Sequence, residues 1–294
     1  MTNVSFDSGN KEIKPEKVDY HKEFDLQDEH KGPKARFMDN VNAIRTLKFI
    51  EAENRYASSD EQEILAKYVG WGGLQNAFDP NDDKWSSEYA ELLDLLTDEE
   101  YISAKRSTTT AFYTDSRITS YINDAIKSMG FQGGKILEPS CGIGNFIGSI
   151  DKDVYLNSSV TGVELDSVSG RIAKLLYPSA DIYITGYENT KFEEGSFDIA
   201  IGNVPFGDFK VFDPKYNHLK VNIHNYFFAK TIDMVRPGGL IAFVTSTYLM
   251  DAKTSTFREY LAQRTDLVGA VRLPARSFDD TKVASDIIFL QKKQ

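Results

Sequence analysis

Asp198-Ile199-Ala200-Ile201-Gly202-Asn203-Val204-Pro205-Phe206-Gly207 is a short apolar run that breaks off in an amide, a proline, an aromatic ring and a glycine. The apolar part reads as a buried β-strand. It cannot continue through Pro205, which has no N–H and a fixed φ. The chain therefore leaves the sheet at Asn203, presenting an amide side chain and a ring at the carboxyl end of a strand. In open α/β sheets that edge is where ligands bind. Taken alone, the stretch reads equally well as a strand followed by a proline turn, so its neighbours decide.

On either side of it, short β-rich runs alternate with helical ones. The strand candidates are Lys135–Leu137, Val160–Leu165, Asp181–Thr185, Phe197–Gly202, Leu240–Thr245, Leu267–Arg272 and Asp286–Leu290. Helical periodicity fills Asn145–Ile150, Ser167–Tyr177, Ile223–Val235 and Thr254–Arg264, and a helix capped by Asp115 precedes the first strand. This alternation predicts an α/β fold with a doubly wound, seven-stranded Rossmann-like sheet over residues 107–294. The last two strands are joined by a non-helical segment, which allows the final strand to run antiparallel to its neighbour. Residues 35–106 read as an N-terminal helical domain, with Ser59 capping its second helix and Trp71 as a core anchor. Residues 1–34 are mixed in charge, poor in large aliphatics and broken by Pro15, Gly32 and Pro33, and read as a disordered lead-in.

Composition narrows the function. The 294 residues carry a formal net charge of −10, so the chain lacks the basic surplus of a domain that holds nucleic acid by itself. Any such binding must come from a local patch or from other domains. Cys141 is the single cysteine, which excludes an internal disulfide and fits a reducing cytoplasm. His21, His30, His218 and His224 have no partners at ligand spacing, so no metal site is expected. No run approaches about 18 apolar residues, and no membrane span is expected.

The first strand leads into Leu137-Glu138-Pro139-Ser140-Cys141-Gly142-Ile143-Gly144-Asn145-Phe146. A proline and two glycines at a strand end permit a tight turn whose N–H groups can approach a ligand. The next strand ends in Gly162-Val163-Glu164-Leu165-Asp166, which puts Glu164 about 20 residues past the glycines, where nucleotide-binding sheets place a carboxylate for ribose hydroxyls. Nothing near Cys141 suggests an activated thiolate, and it reads as a small filler.

These motifs, in this order, resemble the S-adenosylmethionine-dependent N6-adenine DNA methyltransferases. Leu137–Phe146 is similar to that family's first cofactor motif, and Gly162–Asp166 to its ribose-binding strand. Asn203-Val204-Pro205-Phe206 resembles its catalytic Asn-Pro-Pro-aromatic tetrapeptide, and Ala111-Phe112-Tyr113-Thr114 the segment that closes over the cofactor's methionine end. Tyr68–Gly73 and Leu273–Phe278 further resemble helicase–methylase fusion proteins of plasmids, phages and conjugative elements. The resemblance implies S-adenosylmethionine as cofactor, held by Phe112, Tyr113, Thr114, Glu138, Pro139, Cys141, Gly142, Gly144, Asn145, Phe146, Glu164, Leu165, Tyr187, Glu188 and Asn203. It also implies a flipped adenine in DNA as substrate, with modification or anti-restriction in a mobile element as the setting. Asn203 would accept from the amino group through its side-chain oxygen and Val204 through its backbone carbonyl. Phe206 would stack on the base, and Pro205 would hold the turn.

The sequence departs from the family in two places. Val204 stands where the first proline is usual, which keeps the acceptor carbonyl but relaxes its aim. Thr185-Gly186-Tyr187-Glu188 lacks the Asp-Phe pair often seen at the cofactor's adenine, leaving Tyr187 or Glu188 to substitute. After Phe206, the rings Phe209, Phe212 and Tyr216 interleave with Lys210, Lys215, His218 and Lys220, a pattern suited to bases and phosphates. Phe278 is a candidate second wall of the base pocket, with Arg272, Arg276 and Lys282 nearby. No groove-reading element is visible, so sequence recognition is expected from other domains or partners. Methylation of RNA adenine or a protein glutamine, or a cofactor-binding module with weakened turnover, remain alternatives.

Overall fold

The computed structural model describes residues 16–21, 32–108, 114–274 and 284–294. Helix α1, Pro33–Glu53, starts on a proline, whose fixed φ and missing N–H suit a first helical position. It buries Phe37, Val41, Ile44, Leu47 and Ile50 at three- and four-residue intervals. Helix α2, Ser59–Leu65, is entered through a capping box: Ser58 Oγ accepts from the Glu61 N–H while the Glu61 carboxylate accepts from the Ser58 N–H. The cap is thus Ser58, one residue before the expected Ser59. A second capping box, Thr97 with Glu100, opens α4, Asp98–Ser107, which follows α3, Ser86–Leu95. Trp71 packs against Phe37, Tyr68 and Phe78 and is 2% exposed, a core anchor.

Helix α5, Ser116–Ser128, is capped by Asp115 and leads into the sheet. In chain order the sheet region runs β1 Lys135–Glu138, α6 Asn145–Gly148, α7 Lys152–Leu156, β2 Ser159–Glu164, α8 Ser167–Leu176, β3 Asp181–Ile184, β4 Phe197–Asn203, α9 Ile223–Met234, β5 Val235–Ser246, α10 Tyr248–Asp251, α11 Thr256–Arg264, β6 Thr265–Arg272 and β7 Ser285–Lys292. The described residues form one seven-stranded sheet in the order β3-β2-β1-β4-β5-β7-β6. Strands β1 to β5 pair in parallel, and β7 lies antiparallel between β5 and β6. Antiparallel neighbours such as β6 and β7 can be joined by a short connection, whereas parallel ones need a crossover of about a dozen residues or more.

Alternate residues of each strand go to opposite faces. Ile136, Ile199, Ile201 and Val244 join one apolar cluster, while Leu137, Ala200, Ile241 and Phe243 join the other. Helices α9 and α11 cover the second face. The first is covered by α5 to α8, and α1 and α2 stack on the outside of α8. The helices of the expected 35–106 domain therefore share a continuous apolar core with the sheet.

The lead-in needs correction. Within the expected disordered stretch 1–34, residues 16–21 are held against the end of α8. The Tyr20 N–H donates to Leu176 O (2.7 Å), Asp19 accepts from the Ser179 N–H (2.8 Å), and Gln62 donates to Val18 O (2.7 Å). Tyr20 also packs on the apolar cluster. Two backbone groups, the Asp19 carboxylate and the rings of Tyr20 and His21, the latter edge-on to Tyr155, supply this anchoring, so polar composition alone misjudges it. Among the described residues, no helix is long and apolar enough to cross a membrane.

Candidate active site

A cavity of about 1660 Å³ opens at the carboxyl ends of β1, β2, β4 and β5. The glycine turn after β1 forms its floor. Gly142 and Gly144 have φ of +56° and +90°, conformations that a side chain strains, and a Cβ on Gly144 would collide with the Tyr177 ring. The Gly142 N–H donates to the Glu164 carboxylate (2.7 Å), which also accepts from the Asp166 N–H (2.8 Å). This double anchor aims Glu164 along the cavity wall. Burial pushes its carboxyl up to about 7. Glu138, at the end of β1, is 1% exposed, and its Oε2 has no hydrogen-bond partner among the described residues. Burial and the neighbouring Glu164 carboxylate hold Glu138 well above the usual carboxylate range.

A half-buried Glu164 and a buried Glu138 with an unanswered oxygen give this end of the cavity acceptors suited to a ligand that carries hydroxyl donors. Leu165, at the mouth, is 76% exposed and offers an apolar surface for a flat ring. Thr114 and Asn145 line the same end, with Asn145 Nδ2 donating to Thr114 O (3.5 Å). Pro139 and Phe146 line it as well. Cys141 is buried against Gly162, and burial pushes its thiol well up, as suits a filler. Glu188 borders the cavity. Tyr187 also borders it, but its ring packs on Phe227 and its hydroxyl meets Thr231 Oγ1 (3.1 Å), so its side chain is committed to the core. Phe112 and Tyr113, expected over the methionine end, lie outside the described residues.

The opposite end holds the Asn203–Phe206 turn. Ser140 Oγ donates to Asn203 O (2.8 Å), tying this turn to the glycine turn. Asn203 Oδ1 is buried and has no partner among the described residues. Val204 is 1% exposed, and its N–H donates to Val244 O (3.1 Å), extending the β4–β5 ladder by one rung. Proline could not make that bond. The firmness that a proline would lend here comes instead from the ladder and from a buried side chain. Pro205 and Phe206 continue along the wall.

The aromatic–basic loop divides in two. Phe209 and Phe212 line the cavity and are exposed, Phe212 to 78%. Lys210 is exposed but does not line the cavity. Lys215 is paired with Glu194 (2.5 Å) and Asp233 (2.6 Å), and the Tyr216 hydroxyl donates to Asp233 (2.8 Å). These two residues fasten the loop rather than meet a ligand. Arg272 is engaged by Asp286 and Asp251. Asp198 is structural, accepting from Arg236 Nε (2.6 Å) and the Lys135 N–H (2.7 Å). Phe278, with Arg276 and Lys282, lies outside the described residues. Among the described residues, no group of His, Cys, Asp and Glu side chains could hold a metal.

Sequence reasoning missed three parts of the lining. Tyr68, Gly70, Ser103 and Arg106 come from the helical layer, and Ser103 Oγ donates to Asp166 (2.9 Å) beside Glu164. His224 and Asn225 come from the first turn of α9, and Tyr248 from α10. Tyr68 and Gly70 belong to the Tyr68–Gly73 stretch noted for its resemblance, though not as lining, and the others sit in no recognisable motif. Only the rarity of histidine marks His224.

The described residues share the Rossmann-like fold of class I S-adenosylmethionine-dependent methyltransferases, among them one from Listeria monocytogenes that superposes with a TM-score of 0.54 at 14% identity over 89% of both chains. Residues 157–278 match the family model described as Eco57I restriction-modification methylase. The chain is 28% identical over 261 residues to the "Defense against restriction protein B" of Escherichia phage P1, a match covering 86% of this chain and 10% of that protein. It is also 28% identical over 196 residues to the Type II methyltransferase M.CvrRI of Paramecium bursaria Chlorella virus XZ-6E, covering 64% of this chain and 50% of that one. The chain thus spans a tenth and a half of the lengths of these two relatives. The type I restriction-modification methyltransferase subunit from Streptococcus thermophilus superposes with a TM-score of 0.54 at 12% identity, over 89% of this chain and 79% of that one. The chain is thus similar in sequence to restriction-modification methylases, and it shares the fold of solved S-adenosylmethionine-dependent methyltransferases.

Proposed function

We propose that the chain transfers a methyl group from S-adenosylmethionine to the N6 amino group of adenine in DNA, with the base turned out of the helix. The observation that carries this reading is the buried, unpartnered Asn203 Oδ1 at the end of β4. A buried acceptor without a donor is costly, and a ligand N–H removes the cost. An exocyclic amino group brings two such hydrogens. Asn203 Oδ1 takes one and the Val204 carbonyl takes the other.

An aromatic amine is a poor nucleophile because its lone pair is delocalised into the ring. Acceptors on both hydrogens favour the pyramidal form and free the lone pair for attack. When bound, S-adenosylmethionine supplies an electrophilic methyl on a sulfonium. Glu164 would accept from its ribose hydroxyls, Glu138 would serve its cationic end, and Leu165 would cover its adenine ring. The Ser140–Asn203 bond fixes the clamp relative to the glycine turn, so donor and acceptor are brought into line by positioning. Phe206, Phe209 and Phe212 offer rings to unstacked bases.

With Lys215 and Arg272 engaged in ion pairs and the net charge at −10, phosphate binding and sequence recognition fall to other domains or partners. The phage P1 relative supports an anti-restriction or modification role in a mobile element. The test is incubation with labelled S-adenosylmethionine and unmethylated DNA, RNA or cell lysate. Label is expected in DNA adenine. Asn203→Ala is expected to lower transfer by about 10²–10³-fold. Label in RNA or in a protein glutamine, and not in DNA, would overturn the substrate. Cofactor binding with no transfer anywhere would overturn turnover itself.

A further inference from the structure

On the clamp side of the cavity, the Asn203 amide is not the only polar group left without an answer. His224 is 4% exposed, lines the cavity, and its Nδ1 has no hydrogen-bond partner among the described residues. Asn225 Oδ1, beside it on the same lining, is likewise unpartnered. Both stand on the first turn of a twelve-residue helix, whose place relative to the clamp is fixed. The Ile223 N–H donates to Phe209 O (2.9 Å), binding the helix start to the loop that leaves Phe206. The Asn222 side chain caps the turn through the Asn225 N–H (3.4 Å).

A structural role does not account for this histidine. Its packing could be met by an apolar side chain without stranding a ring nitrogen out of water. Burial also drives its pKa down to about 4, against the weaker opposing pull of Asp208, so at neutral pH the imidazole is uncharged. It then has one N–H to give and one lone pair to accept with. An uncharged donor in a pocket with an acceptor-lined clamp complements one edge of an amino-substituted nitrogen heterocycle. On such a ring, a bare nitrogen sits next to the carbon bearing the amino group.

We propose that His224 is a specificity residue of the target pocket, donating through Nδ1 to the ring nitrogen adjacent to the amino-bearing carbon while Asn203 and Val204 hold the amino group. The inference rests on the proposed transfer to a nucleobase and narrows it to bases that carry this nitrogen. His224 selects among targets by reading the ring rather than the amino group.

Transfer is measured on oligonucleotides containing adenine, or 1-deazaadenine at every adenine position, using wild type, His224→Phe, His224→Asn and His224→Gln. Cofactor affinity is measured in parallel. An asparagine amide nitrogen falls near the Nδ1 position and a glutamine amide nitrogen near Nε2. On adenine, His224→Phe and His224→Gln are expected to lose about 10–100-fold in kcat/KM with unchanged cofactor affinity, and His224→Asn to keep most activity. Replacing the ring nitrogen is expected to cost wild type a similar factor and His224→Phe nothing further.

Full activity in His224→Phe, or penalties of variant and analogue that multiply, would overturn the assignment. If His224→Phe does not fold, equal activity of the Asn and Gln variants, or wild-type indifference to 1-deazaadenine, overturns it as well. Wild-type protein that methylates no adenine DNA sinks the substrate reading and this inference together. Normal transfer with no loss in the variants sinks the inference alone.

Discussion

Replacing Glu164 by glutamine tests the cofactor end most directly. The wild-type carboxylate accepts from two backbone N–H groups, those of Gly142 and Asp166. An amide has only one acceptor oxygen, so one of these donors would face an NH₂ group. Losing a hydrogen bond to a charged acceptor costs about 1.5–3 kcal/mol, and the loosened glycine turn no longer presents its N–H groups. The variant is expected to bind S-adenosylmethionine about 10–100-fold more weakly by calorimetry.

The pH dependence sharpens the test. Burial raises the Glu164 carboxyl to about 7, so the unliganded protein holds a proton there up to neutral pH. Ribose hydroxyls and a cationic ligand prefer the ionised form. Cofactor affinity in wild type should therefore rise as pH rises through about 7 and fall below it, by at most tenfold per unit. For stability the sign is opposite: the native state holds the proton where the unfolded chain has released it. Between the ordinary carboxylate value and about 7, this group's contribution to stability declines as pH rises. Glu164→Gln should flatten both profiles. Wild-type affinity that does not change between pH 6 and 8, or a glutamine variant that binds as tightly as wild type, would refute the assignment.

Two other substitutions probe the turns. Val204→Pro restores the residue usual in the resembled family but deletes the N–H that bonds Val244 O. It is expected to lower stability by about 1 kcal/mol or more in thermal unfolding and not to raise the transfer rate. Gly144→Ala places a side chain at φ +90° against the Tyr177 ring. A cost of about 1–3 kcal/mol in stability and a marked loss of cofactor affinity are expected, read by denaturant unfolding and calorimetry.

The sheet was legible because its signals are local. Strands β1, β2 and β4 are short apolar runs ended by Pro, Asn or an acidic residue, and those three endings are also pieces of the cavity. The glycine turn, Glu164 and the Asn203 turn could be found for that reason. What could not be read depends on distant partners. Lys215 and Tyr216 have the composition of a ligand-binding loop, yet Glu194 and Asp233 claim them. Tyr187 sits at a cofactor-like position, but the rings of α9 draw it inward. Val204 was legible only as a departure, because the ladder bond that gives it purpose reaches a residue forty positions away. Residues 16–21 have too few apolar side chains to show any period, and they are held by single hydrogen bonds to distant groups at Leu176, Ser179 and Gln62.

The core shared by the helical layer and the sheet limits how this protein can be moved between longer chains. Cutting ahead of α5 would strip Phe37, Leu47 and Leu65 from the cluster that also contains Ile172 and Leu176 of α8. It would also remove Tyr68 and Ser103 from the cavity wall. A segment that began with the sheet would carry the motifs without the surface that closes their pocket. The portable unit, the piece that recombination or an engineer could splice into another polypeptide with its chemistry intact, is the helices and the sheet together. The phage P1 match, over 86% of this chain, embeds a unit of that size within a protein ten times longer than the match.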